Sequence, residues 1–333
     1  MSVPGADWRP RATRTRLQQR AALLARTREF FAARGVLEVD TPMVVNAPVS
    51  DVHIHSATVQ LAAAAAAPDA HRPPLRHYLH TSPEYAMKRL LASGSGDIYQ
   101  ICHVVRGCER SRLHNPEFTL IEWYRLGFTL EALIDEVEAL VRGLLGAPAA
   151  ARSAERLSYR EAFRRELNLD PFSAGDAQLA RAAQPLGFRA DADTPRDTWL
   201  ELLMGSRVGP RLGSNALTFV YGYPASQAAL ARLDPRDPRT ALRFELYCEG
   251  VELANGFHEL ADPAEQRARF VRDNAERRRR GLSVAAVDER LLAALVAGLP
   301  DCAGVALGFD RTLMLATGAA EIEEVLAFPT DHA

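Results

Sequence analysis

Along the 333 residues, apolar positions follow two rhythms, one with the helical period and one alternating, and the switches between them divide the chain. From about Arg14 to Arg34, Leu17, Ala21 and Leu24 share a helical face, Phe30-Phe31 close the run, and Gly35 stops it. Val36 to Val39 then reads as a strand before Thr41-Pro42. Tyr78-Leu79-His80 is a strand running into Thr81-Ser82-Pro83-Glu84, where Ser82 can cap a helix and Pro83 take its first position. Glu84 falls in the first turn, where the helix dipole favours a carboxylate. Thr129 to Leu145 is amphipathic, with Leu130, Leu133, Ile134, Val137, Leu140 and Val141 on one side. Phe219 to Pro224 reads as a strand, Asp262 to Arg280 as a polar helix, and Asp288 to Ala297 as another helix.

Two stretches alternate and are joined as hairpins. In the first, Ile98 to Arg106 and Phe118 to Arg125 flank a long polar loop beginning at Gly107 and Cys108 and carrying Glu109, Arg110, Arg112, His114 and Asn115. Loops of this length inside a compact domain are usually functional. Alternation puts Phe118, Leu120, Glu122 and Tyr124 on one face, which suits either a solvated sheet surface or a pocket that stacks a flat ring and grips an ammonium group. In the second hairpin, Glu249-Gly250 forms a two-residue turn between Phe244–Cys248 and Val251–Asn255. Pairing Cys248 with Val251 puts Tyr247 opposite Glu252 and Glu245 opposite Ala254, so Glu245 and Glu252 are diagonal neighbours. They are either a solvated pair or two carboxylates with a cation between them, and a phosphate-borne Mg2+ suits the second case. Strict alternation puts Asn255 on the other face and leaves it unexplained.

Composition removes several classes. The net charge of −2 gives no overall basic field for nucleic acid, and no apolar run has membrane length. Cys102, Cys108, Cys248 and Cys302 form no CxxC pair and the N-terminus shows no secretory pattern, so reduced thiols in a cytoplasmic protein are expected. Arg277 to Arg280 end a helix, as its dipole favours, or form a partner-binding patch. Lys88 is the only lysine; it is either a remnant of arginine-biased composition or an ammonium that a guanidinium cannot replace. Residues 1–13 read as a frayed tail. Residues 61–75, with six alanines after Leu61, and residues 147–210, rich in Ala, Arg and Pro, read as surface insertions in one domain spanning 14–333.

The run His114-Asn115-Pro116-Glu117-Phe118-Thr119, followed by Glu122 and Tyr124, resembles motif 2 of class II aminoacyl-tRNA synthetases, the lysyl branch in particular. The helix–strand–Pro unit near the start resembles motif 1, and Val305-Ala306-Leu307-Gly308-Phe309-Asp310-Arg311 resembles motif 3. Glu252-Leu253-Ala254-Asn255-Gly256-Phe257-His258-Glu259 is similar to the lysyl-type segment. The resemblance implies an α+β core with an antiparallel sheet flanked by helices, and a homodimer built on motif 1. It implies ATP contacts from Arg106, Gly107, Cys108, His114, Asn115, Phe118, Glu252, Leu253, Gly308 and Arg311, with adenine between Phe118 and Arg311. It places the amino acid on Ser82, Pro83, Glu84, Glu122, Tyr124, Asn255, Glu259 and Ala306, and Mg2+ on Glu245 and Glu252.

Motif 1 begins near the start of the chain and leaves no room for an anticodon-reading barrel. The chain is therefore similar to the truncated lysyl-type paralogues that ligate (R)-β-lysine to elongation factor P, which also have alanine at the position of Ala306. Such an enzyme joins amino acid to ATP as an adenylate, with Arg106 at the α-phosphate and Arg311 as the second catalytic arginine, then passes the acyl group to a lysine ε-amine. Motif 2 departs from its usual form: Cys108 stands where Arg-x-Glu has glutamate, with Glu109 one residue later, and Val105 replaces phenylalanine. The alternatives are a small synthetase charging tRNA, which the acidic balance and missing barrel oppose, and an inactive binding protein, which the intact charged set opposes.

Overall fold

The structure, a computed structural model, describes residues 8–61, 76–146, 153–188 and 194–333. Most of the alanine-rich stretch lies outside the described residues. The architecture is α+β, as expected, and the chain forms two compact units: Met1–Leu126, Ala261–Pro300 and Gly308–Ala333 in the first, Gly127–Leu260 and Asp301–Leu307 in the second.

The first unit starts with the helix Arg14–Ala32, capped by Thr13, whose hydroxyl accepts from Arg16 N–H at 3.3 Å. The preceding residues are tied down where described: Arg11 and Ala12 N–H donate to the carbonyls of Ala327 and Leu326. Phe31 is fully buried, stacks on Tyr99 at 4.3 Å and meets Trp123 edge-on at 5.3 Å. This seats the helix on the inner face of the strands Ile98–Val105 and Glu117–Leu126. Those strands pair antiparallel without a register shift, from Ile98 opposite Tyr124 to Val105 opposite Glu117. Leu37–Glu38 adds a parallel pair to Ile98–Tyr99. A smaller sheet pairs His77–Leu79 with both Val44–Val45 and Thr58–Val59.

In the second unit the strands Cys302–Gly308, Val251–His258, Asp237–Cys248, Ala216–Pro224 and Ser153–Ser158 follow in order. The last pair is parallel. The stretch expected as a surface insertion is thus part of this unit. Tyr159, Phe163, Leu179, Trp199, Leu200, Leu203 and Val208 form one buried cluster with Val220, Tyr223 and Tyr247 of the sheet. The helix Leu130–Leu145 buries all six apolar positions assigned to its inner face.

Candidate functional site

The first hairpin and its flanks hold one cluster, within the first unit. Ser82 does not cap a helix from the N-cap position: the helix is Glu84–Ala92, and Pro83 precedes it. Instead the Ser82 hydroxyl accepts from Glu84 N–H at 3.0 Å, two residues on, and donates to Glu122 Oε2 at 2.8 Å. Tyr124 donates its hydroxyl to Glu122 Oε1 at 2.8 Å, as alternation on one face requires. Glu122 and Tyr124 are each 2 % exposed, so this carboxylate lies in the interior with both oxygens accepting. Burial pushes the nearby Cys102 thiol up to about 12, and the Glu122 charge adds to it. Glu84 is paired in turn: the buried Lys88 donates its ammonium to Glu84 Oε1 at 2.6 Å, four residues along one helix. The only lysine of the chain therefore has a place, as a compact internal cation neutralising Glu84.

At the loop end of the same hairpin, Arg106 lies over the Phe118 ring at 5.1 Å and donates to the Thr81 carbonyl at 3.4 Å. Its guanidinium is 3.6 Å from Glu109, so the glutamate displaced by one position relative to the usual motif reaches the arginine. Arg311 is held by the loop of the same hairpin. It donates to the Leu113 carbonyl at 3.2 Å and to His114 Nε2 at 2.6 Å. A guanidinium only donates, so His114 is neutral with its proton on Nδ1, which donates to Ser111 Oγ at 2.7 Å. Burial, reinforced by Arg311, lowers the His114 pKa and favours that neutral form. Asn115 is engaged in the scaffold: its amide nitrogen donates to the Glu117 carbonyl and its oxygen accepts from Thr330 N–H. Gly107 N–H donates to the His55 carbonyl, and Cys108 is exposed. Asp310 fastens the helix Phe309–Thr317, which begins just after Gly308, to the hairpin: it accepts from Thr119 N–H at 2.6 Å and from Arg20.

The second cluster belongs to the other unit. The turn Glu249-Gly250 has positive φ at both residues, +53° and +71°, the form that matches strand twist. Cys248 pairs with Val251 and Tyr247 with Glu252, as expected, but Glu245 pairs with Asn255, not Ala254. A bulge at Leu253 causes the shift: one extra residue turns the following positions over. Glu245, Tyr247, Glu252 and Asn255 consequently share a face, which resolves the apparent misplacement of Asn255. Ala306 lies opposite Asn255 on the next strand. Glu259, 2 % exposed, follows the strand and bridges to Ala231. Gly256 must be glycine here, because a Cβ would come within 2.4 Å of the Phe244 ring.

Glu245 is held more tightly than a solvated residue or a bare metal ligand. Tyr223 and Tyr247 donate to its Oε2 at 2.5 and 2.6 Å, and Arg243 to its Oε1 at 2.5 Å. Burial, then the Glu245 charge, holds both phenols far above their ordinary pKa. Burial works against the Arg243 charge, but Glu245 outweighs it. A carboxylate has about four lone-pair positions, so Glu245 keeps roughly one for a cation. With Glu252 on the same face, that donor set fits a Mg2+ that enters on ATP and takes most of its coordination from phosphate and water. Arg243, Tyr223 and Tyr247 did not stand out in the sequence; the i, i+2 spacing of Arg243, Glu245 and Tyr247 on one strand was the available signal.

None of the four cysteines is in a disulfide, and among the described residues no helix is long and apolar enough to cross a membrane. The family model for class II tRNA synthetases (D, K and N) matches residues 4–332. A Vibrio cholerae protein named elongation factor P--(R)-beta-lysine ligase is 49% identical over 333 residues, covering 99% of this chain and 100% of the relative. Proteins of the same name from Klebsiella pneumoniae subsp. pneumoniae and Vibrio vulnificus are 49% and 48% identical, over 98% and 97% of this chain and 99% and 98% of theirs. The chain belongs to the class II (D, K and N) tRNA synthetase family.

Proposed function

We propose that this chain is an ATP-dependent ligase that activates (R)-β-lysine as its adenylate and transfers it to a lysine ε-amine of elongation factor P. The observation that carries this reading is the end-to-end match, near half identity, to relatives bearing that ligase name. The substrate carboxylate attacks the α-phosphorus of ATP and pyrophosphate leaves. Arg106, already beside Phe118 and Thr81, offsets charge building on the α-phosphate. Mg2+ accompanying ATP would be held by Glu252 and the remaining position of Glu245, and would supply positive charge to the phosphates. The two amines of the substrate are taken by carboxylates: Glu122, preset by Ser82 and Tyr124, and Glu259 beyond the bulged strand. Ala306, across from Asn255, narrows the pocket by one methyl group and biases it between lysine isomers, an effect worth about 1–3 kcal/mol. In the second step the acceptor ε-amine attacks the acyl carbonyl, AMP leaves, and the amine gives up a proton. The exposed Leu37 and Met43, in the stretch resembling motif 1, suit a homodimer interface.

The test is mass spectrometry of elongation factor P after incubation with the protein, ATP and (R)-β-lysine, beside a parallel reaction with bulk tRNA. One added lysyl unit on the factor, lost without ATP, is expected. An unmodified factor beside efficiently charged tRNA would overturn the reading.

A further inference from the structure

One buried polar side chain in the first unit has no role in what precedes. Gln100, in the middle of the strand Ile98–Val105, is 1 % exposed; its amide nitrogen has only the weakly bonding Cys102 sulfur to turn to, and its amide oxygen has no hydrogen-bond partner. Leaving a primary amide so poorly satisfied in the interior is costly, and proteins rarely tolerate it without a use. Gln100 is paired directly across from Glu122. Directly opposed residues of an antiparallel pair project to the same side, with Cβ atoms about 5 Å apart. That side carries Tyr124, next to Glu122 in the alternation, and Cys102, whose thiol is only a weak donor. The Glu122 oxygens accept from Ser82 and Tyr124, and a carboxylate has no hydrogen to offer the amide oxygen of Gln100.

We infer that Gln100 is a substrate-contacting residue, its amide oxygen accepting from the amine that Glu122 attracts. The inference rests on the proposed amino-acid activation and adds a residue to it. An ammonium group has three donors, and a carboxylate oxygen and an amide oxygen on one strand pair offer two acceptors on one side of it. Glu122 supplies charge; Gln100 supplies direction. A neutral acceptor adds no second negative charge beside Glu122, so the empty site avoids the repulsion that a second carboxylate would bring.

The test compares Gln100→Met and Gln100→Glu in ATP–pyrophosphate exchange. Met removes the acceptor at similar volume; Glu keeps an acceptor at nearly the same shape. Gln100→Met should raise KM for (R)-β-lysine about tenfold or more, with KM for ATP within about twofold of wild type and an unfolding temperature no lower. Gln100→Glu, which keeps an acceptor, should hold the amino-acid KM below that of Gln100→Met, while its second carboxylate beside Glu122 lowers the unfolding temperature. In the wild-type protein labelled with 15N at glutamine, the Gln100 side-chain amide, assigned by its absence in Gln100→Glu, should shift with (R)-β-lysine and not with ATP alone. That arm decides the question if Gln100→Met does not fold. An unchanged amino-acid KM in Gln100→Met, or an amide signal indifferent to the amino acid, overturns the inference. Absence of amino-acid-dependent exchange in the wild type would instead sink the proposed function itself.

Discussion

The two hairpins are built differently, and each difference changes what its carboxylate can do. The first, Ile98–Val105 with Glu117–Leu126, runs in unbroken register and is joined by a long loop. The second, Asp237–Cys248 with Val251–His258, has a two-residue turn and a bulge at Leu253. In the first, Glu122 accepts from the hydroxyls of Ser82 and Tyr124, neutral donors that orient its two oxygens. In the second, Glu245 accepts from two phenols and from the Arg243 guanidinium, so its charge is largely answered within the protein. A regular ladder presents residues at fixed two-residue spacing. A bulge gathers residues that alternation would separate, here Glu252 and Asn255. On the proposed function, the comparison teaches that Glu122 would recognise the substrate amine, whereas Glu245 holds its neighbours in place and would keep one position for a cation.

The largest effect expected is on the Glu245 side. Arg243→Met removes the guanidinium and leaves a buried carboxylate facing two phenols. Breaking a buried pair from one side costs about 3–5 kcal/mol. Chemical denaturation should therefore show a steep loss of stability or an insoluble protein. Glu122→Gln, which removes a charge but keeps the shape, should lower the denaturation midpoint little while abolishing amino-acid-dependent exchange. If the two variants lost stability equally, the distinction between holding and recognising would be wrong.

The next effect is catalytic. Arg106→Ala removes a positioned charge at the loop end of the first hairpin, and losing one preorganised contact of that kind costs on the order of 10²-fold in rate. Amino-acid-dependent ATP–pyrophosphate exchange should fall by at least that much, with the far-ultraviolet circular dichroism unchanged. Exchange near the wild-type rate would remove Arg106 from the α-phosphate and with it the role assigned to the long loop.

The same contrast explains what could be read in the chain. The first hairpin was legible in detail because an unbroken register obeys alternation: Glu122 and Tyr124 share a face as the period requires. The turn of the second was legible from Glu249-Gly250, and the pairing as far as Tyr247 with Glu252 followed. Beyond that, Leu253 carries no mark of a bulge, so the face of Asn255 could not be derived from spacing. The long-range partners were also out of reach: nothing local connects Ser82 to Glu122 across forty positions, or Tyr223 to Glu245. The region after residue 147 was illegible for another reason. Its helices are short, Asp176–Ala183 and Arg196–Leu203 among them, and too few turns repeat for a period to emerge.

The smallest effect is a pH dependence confined to the first hairpin. His114 accepts from Arg311 at Nε2, which it can do only while neutral, and burial followed by the Arg311 charge lowers its pKa from the usual 6.5. The sign follows from proton counting. Between the lowered folded value and the ordinary unfolded one, the unfolded chain binds more protons, so stability rises with pH through that window. The contribution is complete above about pH 6.5 and is lost as the pH falls through the folded value. Protonation also turns Nε2 from acceptor to donor, so Arg311, which the proposed function puts at the nucleotide, loses this contact. Wild-type protein should show KM for ATP rising on the acid side of that window. In His114→Gln, whose amide oxygen can accept from Arg311 at any pH, that rise should flatten, and the drop in unfolding temperature between neutral and acid pH should shrink. Identical acid limbs in the two proteins would mean that His114 does not position Arg311. The loop of the first hairpin would then have no titrating part to set against the permanently charged cluster of the second.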